Sequence, residues 1–419
     1  LGGAVPESVQ RRLGTSDAVV LGLAAMLGTG VFAVWQPAAA VAGPWLLLAV
    51  LLAAVVAACN ASSTADLAVA HPESGGGYVY GRERIAPGAG RLAGVAFLAG
   101  KTASAAAAAG VFGTYVLPSA PAAAAVAAVA GVTALNTAGV RWTARGAYAL
   151  VGGTLAVLLL VIAAGLLGAG GAAAPAVPAD PPPPVVAGPF GVLTAAGLVF
   201  FAFAGYARIA TLGEEVRDPS RTLRRAIVLA LGVTLVVYLL VAVALLVGLG
   251  VDRLAVEPAP LVALVDGGPS ALGVLVRVGA AVAAGSALLS VLVGVSRTGL
   301  AMARRGDLPR PLAAVGRRGT PWRADLAGGA VAVAIALLAG PVAAIAVSAC
   351  SVLVYYAVIN LAALQLAPDE RRWPRWTSWL GFVLCLGLAA LLPVVQVLVT
   401  AAALALAWAV CTGLQRRAG

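Results

Sequence analysis

Apolar runs of about twenty residues or more recur along almost the whole chain. A helix of that length crosses a hydrocarbon core of ~30 Å. Hydrocarbon supplies no partners for backbone polar groups, so such segments must satisfy their own hydrogen bonds, as helices do. Hydrophobic residues make up 62% of the 419 residues and charged ones 10%, with a mean hydropathy of +1.01. A soluble domain of this size would need far more charge to cover its surface. The expected fold class is therefore an all-α polytopic membrane protein. Twelve transmembrane spans are read, at residues 17–42, 44–70, 90–117, 120–140, 144–168, 189–213, 222–250, 268–303, 323–339, 341–366, 376–392 and 394–414. Tight, proline-marked connections at Gly43-Pro44, Pro118 to Pro121 and Gly340-Pro341 suit helical hairpins. Spans three and eight are long enough to tilt or to leave the bilayer at their ends.

The basic residues set the orientation. Arg11 and Arg12, Arg82, Arg84 and Arg91, Arg141 and Arg145, and Arg217 to Arg225 all fall on one side of a twelve-span arrangement. The six arginines between Arg304 and Arg323, then Arg371, Arg372, Arg375, Arg416 and Arg417, share that side. The opposite loops hold Arg253 as their one basic residue, beside Asp180, Asp252, Glu257 and Asp266. By the positive-inside rule both termini are expected in the cytoplasm of a cell-membrane protein. The net charge of +11 then describes a surface facing lipid headgroups. With no aromatic–basic interleaving, nucleic acid is excluded as a partner.

Two spans carry a break near mid-depth, in matching positions. One is Gly28-Thr29-Gly30; the other is Phe203-Ala204-Gly205-Tyr206. A broken helix frees amides and carbonyls, which is tolerated only beside a protein-lined cavity or a ligand. Small residues also let membrane helices pack closely. Paired breaks in two halves of a chain, however, point to a central binding site between structural repeats.

Other chemistries have little to build on. Cys59, Cys350, Cys385 and Cys411 are scattered through apolar spans and read as small buried hydrophobes. His71 is the single histidine, so neither a metal site nor a catalytic dyad is expected, and no cofactor. No signal peptide is evident, because the first span is too long and belongs to the repeat. The proline-rich stretch at 175–189 reads as a semi-rigid external linker.

Four motifs, in order, carry a family resemblance: Gly28-Thr29-Gly30-Val31-Phe32; Ser74-Gly75-Gly76-Gly77-Tyr78-Val79-Tyr80-Gly81-Arg82-Glu83; Phe200 to Tyr206 with Gly213 to Pro219; and Ser296-Arg297 with Ala301 to Pro309. From about Thr15 to Leu366 the chain resembles the amino acid–polyamine–organocation permeases. The resemblance implies a LeuT-like five-plus-five inverted repeat with helices one and six broken. Its divisions would be a cytoplasmic segment at 1–16, a first repeat at 17–168 and an external linker at 169–188. A second repeat at 189–366 and two added spans with a cytoplasmic tail at 367–419 complete it.

In such a fold a substrate carboxylate would meet the amides of Gly28, Thr29 and Gly30, where a half-helix dipole favours an anion. The ammonium would meet carbonyls of Phe203, Ala204 and Gly205. Phe203 and Tyr206 would either wall the side-chain subsite or pack between helices. Lys101, the only lysine in the chain, lies about eleven residues into span three, close to the midplane. An ionisable group at that depth is a functional candidate by default, and a buried amine can carry a proton. Proton-coupled relatives often use a lysine in span five, where this chain has Thr154.

Arg208, two residues past the second break, faces either the cavity or a packed neighbour, and Glu214, Glu215 and Arg297 belong to a charge cluster on the arginine-rich side; all four are coupling or gating candidates. Many relatives place an acid where this chain has Ala207. Its loss, with Lys101 at similar depth, favours neutral amino acids over strongly cationic ones. Arg277 has no evident partner, and Ser286 and Ser290 either offer oxygens to sodium or bond their own backbone. Tyr355, Tyr356 and Asn360 line or pack. The expectation is a secondary transporter of amino acids, using alternating access with proton coupling or exchange. Its partners would be a small-molecule amino acid or amine, a proton and membrane lipid. The alternatives are a polyamine or other amine carrier, and a non-transporting receptor on the same scaffold.

Overall fold

The computed structural model describes residues 13–71, 75–139, 144–168, 188–210, 216, 218–316 and 318–418. These residues are overwhelmingly helical; the single β-type contact among them is an isolated bridge between Leu13 and Val216. In chain order the helices are α1 (Thr15–Met26), α2 (Gly30–Ala33), α3 (Trp35–Ala42), α4 (Leu46–Ala70), α5 (Gly77–Arg84), α6 (Pro87–Val116), α7 (Pro121–Thr137) and α8 (Ala144–Leu166). They continue as α9 (Pro189–Phe203), α10 (Ala207–Ala210), α11 (Pro219–Val256), α12 (Pro260–Ala263), α13 (Ser270–Arg304), α14 (Trp322–Ala363), α15 (Arg375–Leu391) and α16 (Val394–Ala418).

Among the described residues, 9 helical stretches are long and apolar enough to cross a membrane, and α7 and α15 are shorter apolar helices. Each of the twelve expected spans has a helical counterpart. Proline opens α6, α7, α9 and α11, where its missing N–H costs nothing and its fixed φ suits the first turn. Two joints are made by single residues. The ninth and tenth spans are two helices within the α14 range that meet at Gly340 (φ 70°, ψ 171°) just before Pro341, at the expected tight connection. Glycine tolerates that left-handed φ, and proline starts the next helix without a connecting loop. The same device at Gly250 (φ 74°, ψ 166°) interrupts α11 at the expected end of span seven, and a short further helical stretch follows to Val256. The short helix α5 lies in what was read as a connecting loop. The expected proline-rich linker falls outside the described residues.

One cluster of the core is built of small side chains. Ala105, Ala108 and Ala109 of α6 meet Ala125 and Val129 of α7, Leu288 and Leu292 of α13, and Ala332 of α14. Without a large hydrophobic gain between helices in lipid, close backbone approach of this kind is what holds them together. Larger side chains such as Trp35, Phe32, Phe200 and Tyr238 fill the main core, while Leu51, Val55, Val228, Val236 and Leu338 are exposed. On a soluble protein so broad an apolar surface would mark an interface; here it faces hydrocarbon.

Candidate binding site at two helix breaks

The first break is an open turn over residues 27–29, followed by the single-turn helix α2 and a bend at Val34. Leu27 N–H still donates to the Leu23 carbonyl at 2.7 Å. Beyond it, the amides of Gly28, Thr29 and Val31 donate to no acceptor among the described residues. The Thr29 hydroxyl is buried and likewise unpartnered. Three open amides and a hydroxyl therefore share one buried stretch of backbone, where unpaired polar groups are costly unless a ligand or water meets them.

The second break is milder. Helix α9 tightens into a 3₁₀ turn over Ala204–Tyr206 and resumes as α10. Ala207 N–H donates to the Gly205 carbonyl, which removes one of the three expected acceptors.

The two breaks touch. A Cβ on Gly205 would lie 2.6 Å from the carbonyl carbon and oxygen of Ala25 and 2.7 Å from Met26 N. One on Gly30 would lie 2.5 Å from Cα and Cβ of Ala202. Glycine at these positions is a requirement of contact between the backbones of α9 and the first broken span. Helix α13 closes another side, with Ala287 Cβ 3.0 Å from the Cβ position of Gly28.

Tyr238 of α11 ties the pair together. Its hydroxyl donates to the Met26 carbonyl at 2.5 Å and lies 3.2 Å from the Ala202 carbonyl. Its ring packs edge-on against Phe203 and Trp35, with centroids 5.0 and 5.8 Å away. Sequence reading passed over Tyr238; the signal was a lone tyrosine in the middle of an otherwise aliphatic span. Tyr115 plays a related part at the other end of α2, donating to the Phe32 carbonyl at 3.2 Å. Arg277, left without a partner by sequence, donates to the Tyr115 carbonyl at 3.2 Å.

Phe203 and Tyr206 are both fully buried. Tyr206 stacks at 5.3 Å on Tyr356, which also meets Phe200 edge-on at 5.8 Å. The Tyr206 hydroxyl has no partner in hydrogen-bond geometry, with Tyr356 and Asn60 beside it. Asn360 Nδ2 donates to Asn60 Oδ1 at 2.6 Å, leaving Asn60 Nδ2 and Asn360 Oδ1 unpaired. A polar pocket thus backs the second break.

Lys101 sits at the middle of α6, fourteen residues from Pro87 and fifteen from Val116. Its ammonium lies 5.9 Å from the Phe97 ring, and that ring lies 5.4 Å from Tyr355. Among the described residues no ion pair or hydrogen bond joins Lys101 to either break. Ser286 donates to the carbonyl of Ala283 on its own helix at 3.0 Å, and Ser290 is exposed. Arg208 and Arg297 are exposed, with Arg297 within electrostatic reach of buried Asp325. Glu214 and Glu215 lie outside the described residues.

The arginine-rich end holds ion pairs that the sequence did not single out. Asp307 is fully buried, 3.5 Å from Arg82 and 3.9 Å from Arg91, and accepts from the Tyr78 hydroxyl at 2.5 Å. Burial and then this carboxylate push the Tyr78 phenol up to about 12. Arg84 forms a fork on Glu370 at 2.9 and 2.5 Å and donates to His71 at 2.6 Å. The bond from Arg84 holds the Glu370 carboxyl below its ordinary value. Among the described residues no group of histidine, cysteine and carboxylate side chains could hold a metal.

Fold and site together define an all-α, multi-pass membrane protein with two interrupted helices meeting inside it. The chain belongs to the amino acid permease family, whose signature matches residues 17–416. It is 51% identical over 402 residues to an uncharacterized transporter of Mycobacterium tuberculosis, covering 96% of this chain and 90% of the relative. It is 27% identical to the methylthioribose transporter of Bacillus subtilis, over 79% of this chain and 75% of that one. Identity is also 27% to the branched-chain amino acid permease BcaP of the same organism, over 74% and 70%. The chain is a membrane transporter.

Proposed function

We propose that the protein carries neutral amino acids across the cytoplasmic membrane, with residues 17–168 and 189–366 as inverted repeats that alternately open the central site. The observation that carries this reading is the contact between the two breaks, with three open amides and the Thr29 hydroxyl on one side. Those amides suit a carboxylate, because successive N–H groups present partial positive charge to an anion. The carbonyls of Phe203 and Ala204 suit the ammonium, and their break is stabilised from behind by Tyr238. Recognition by backbone explains how a zwitterion is held without a pair of charged side chains. The branched-chain permease among the relatives supports an apolar side chain. The arginine-rich loops favour a cytoplasmic position for both termini.

Lys101 is the proposed proton carrier: it is an amine at mid-helix with an aromatic neighbour and no carboxylate partner among the described residues. Arg208, Arg297, Glu214 and Glu215 are proposed to close the inner gate. A second reading is a hydroxyl-rich neutral solute, favoured by the methylthioribose transporter among the relatives and by the unpaired Thr29, Asn60 and Asn360 groups.

The test is uptake of labelled neutral and cationic amino acids, polyamines and methylthioribose into proteoliposomes, under an imposed pH gradient and then a sodium gradient. Saturable, proton-driven uptake of neutral amino acids, lost in Lys101→Ala, is the expected result. Driven uptake that survives in Lys101→Ala removes the lysine from coupling and leaves the permease reading standing. Binding without flux of any compound overturns transport in favour of a receptor.

A further inference from the structure

A cavity of about 320 Å³ lies between α4 and α11, away from the open amides of the first break. Its walls run from Ala54 to Ala65 on α4 and from Arg224 to Leu235 on α11. Each stretch advances eleven residues, roughly 16 Å by helix rise. That is about one leaflet of a ~30 Å hydrocarbon core. The alanines at one-turn spacing on α4 make the trough concave, and its rims are lipid-facing: Val55 is 45% and Val228 is 54% exposed.

The two ends differ in chemistry. The inner end reaches Phe203, in the second helix break. The outer end holds Arg224 and Trp373. The Nε of Arg224 is sealed from solvent and has no hydrogen-bond partner among the described residues. Asp66 is close enough to interact with its charge, but the Asp66 carboxylate accepts from the backbone amides of Arg372 and Trp373 at 3.1 and 3.2 Å and forms no ion pair with Arg224 among the described residues. Ser62, also in the wall, is committed to the Cys59 carbonyl at 2.7 Å. An indole and a guanidinium at one end of a leaflet-long apolar trough match the interfacial position of a lipid headgroup.

We propose that this cavity is a specific site for an acidic phospholipid, with one acyl chain lying between α4 and α11 and the headgroup phosphate on Arg224. A half-buried guanidinium in the cavity wall suits a phosphate oxygen. The acyl terminus abuts Phe203, so occupancy bears on the helix that moves in the proposed transport cycle. The inference rests on the membrane-transporter reading and places the lipid in the leaflet at the arginine-rich end.

The full chain, purified in detergent, is titrated with dioleoyl phosphatidylglycerol or dioleoyl phosphatidylcholine and read by native mass spectrometry. Wild type retains the glycerol lipid at least fivefold more tightly than the choline lipid. Arg224→Gln erases that preference, whereas Arg221→Gln, at an exposed neighbour with the same loss of charge, keeps it within twofold. Ala58→Phe fills the trough and lowers retention of phosphatidylglycerol about tenfold, and it tests the site even if Arg224→Gln fails to fold. Equal losses in Arg224→Gln and Arg221→Gln would show only general attraction to a basic surface and overturn the proposal. So would displacement of the lipid by glycerol phosphate at equal concentration, which would mark a site for a soluble anion. Retention is read without flux, so its failure leaves the transport reading intact, and failed uptake leaves the lipid result intact.

Discussion

Replacing Gly205 by alanine tests whether contact between the two breaks organises the site. The added Cβ would stand 2.6 Å from the carbonyl carbon and oxygen of Ala25, where ordinary contact begins at 3.4 Å. A gap of roughly 0.8 Å, the difference of those values, has to open between two backbones. Neither neighbour is a flexible side-chain end, so relief requires moving a helix. Overpacking of this kind costs about 1–3 kcal/mol. The adjoining Tyr238–Met26 hydrogen bond shares the displaced backbone, which puts the expectation near the middle, about 2 kcal/mol. If that cost falls on the state in which the breaks touch, the balance between conformations moves about thirtyfold, at 1.4 kcal/mol per factor of ten. The assay compares initial uptake rates in proteoliposomes and thermal stability by fluorescence-detected size exclusion. Gly152→Ala is the control, because nothing lies within 4 Å of its added Cβ. Helix propensity there favours alanine by up to about 1 kcal/mol. The expected result is opposite signs: Gly205→Ala less stable with strongly reduced flux, Gly152→Ala unchanged or more stable with normal flux. Equal stability and flux in the two variants would refute the claim that the breaks are in contact.

Tyr238→Phe removes the donor to the Met26 carbonyl at a fully buried position, and an unsatisfied buried acceptor costs about 1–3 kcal/mol; a lower melting temperature and altered substrate affinity are expected, and a wild-type profile would contradict the role. Asp307→Asn leaves Arg82 and Arg91 facing a neutral group. Because both arginines are partly exposed, the loss is expected near 2 kcal/mol, below that of a fully buried pair, and it should appear as protease cleavage between α5 and α6. Glu370 is held below its ordinary carboxyl value by Arg84, so its contribution is complete above the ordinary value and disappears as pH falls through the lowered one. Thermal stability measured from pH 6 to pH 3 should therefore decline less in Arg84→Gln than in wild type, by about 1 kcal/mol or less for so exposed a pair. Identical pH profiles would exclude that linkage.

Much of this architecture was legible because lipid imposes a severe rule on the chain. A span has to be long, apolar and helical, so counting apolar runs and prolines locates helices without knowing their neighbours. The breaks were legible for the same reason: Gly28 to Gly30 and Phe203 to Tyr206 interrupt the pattern that lipid otherwise demands. The joints at Gly340 and Gly250, where a single residue of positive φ breaks the helix, fall at expected span ends. Helix α5 escaped because its apolar and charged residues are mixed over only eight positions.

Side-chain partnerships were not legible at all, because they join residues far apart in sequence. Arg277 finds the Tyr115 carbonyl across 162 positions, and Tyr238 reaches Met26 across 212. Asp307 meets arginines from the start of α6 and from α5. Lys101 was conspicuous in sequence, yet only the packed structure shows an aromatic ring and no described carboxylate beside it. Local composition acting against hydrocarbon was enough to show that the chain lives in a bilayer, where its helices run and where two of them fail. The tertiary structure alone decided that the two failures meet, what braces them and where a lipid-facing trough opens, since each depends on which distant backbones small residues allow to touch.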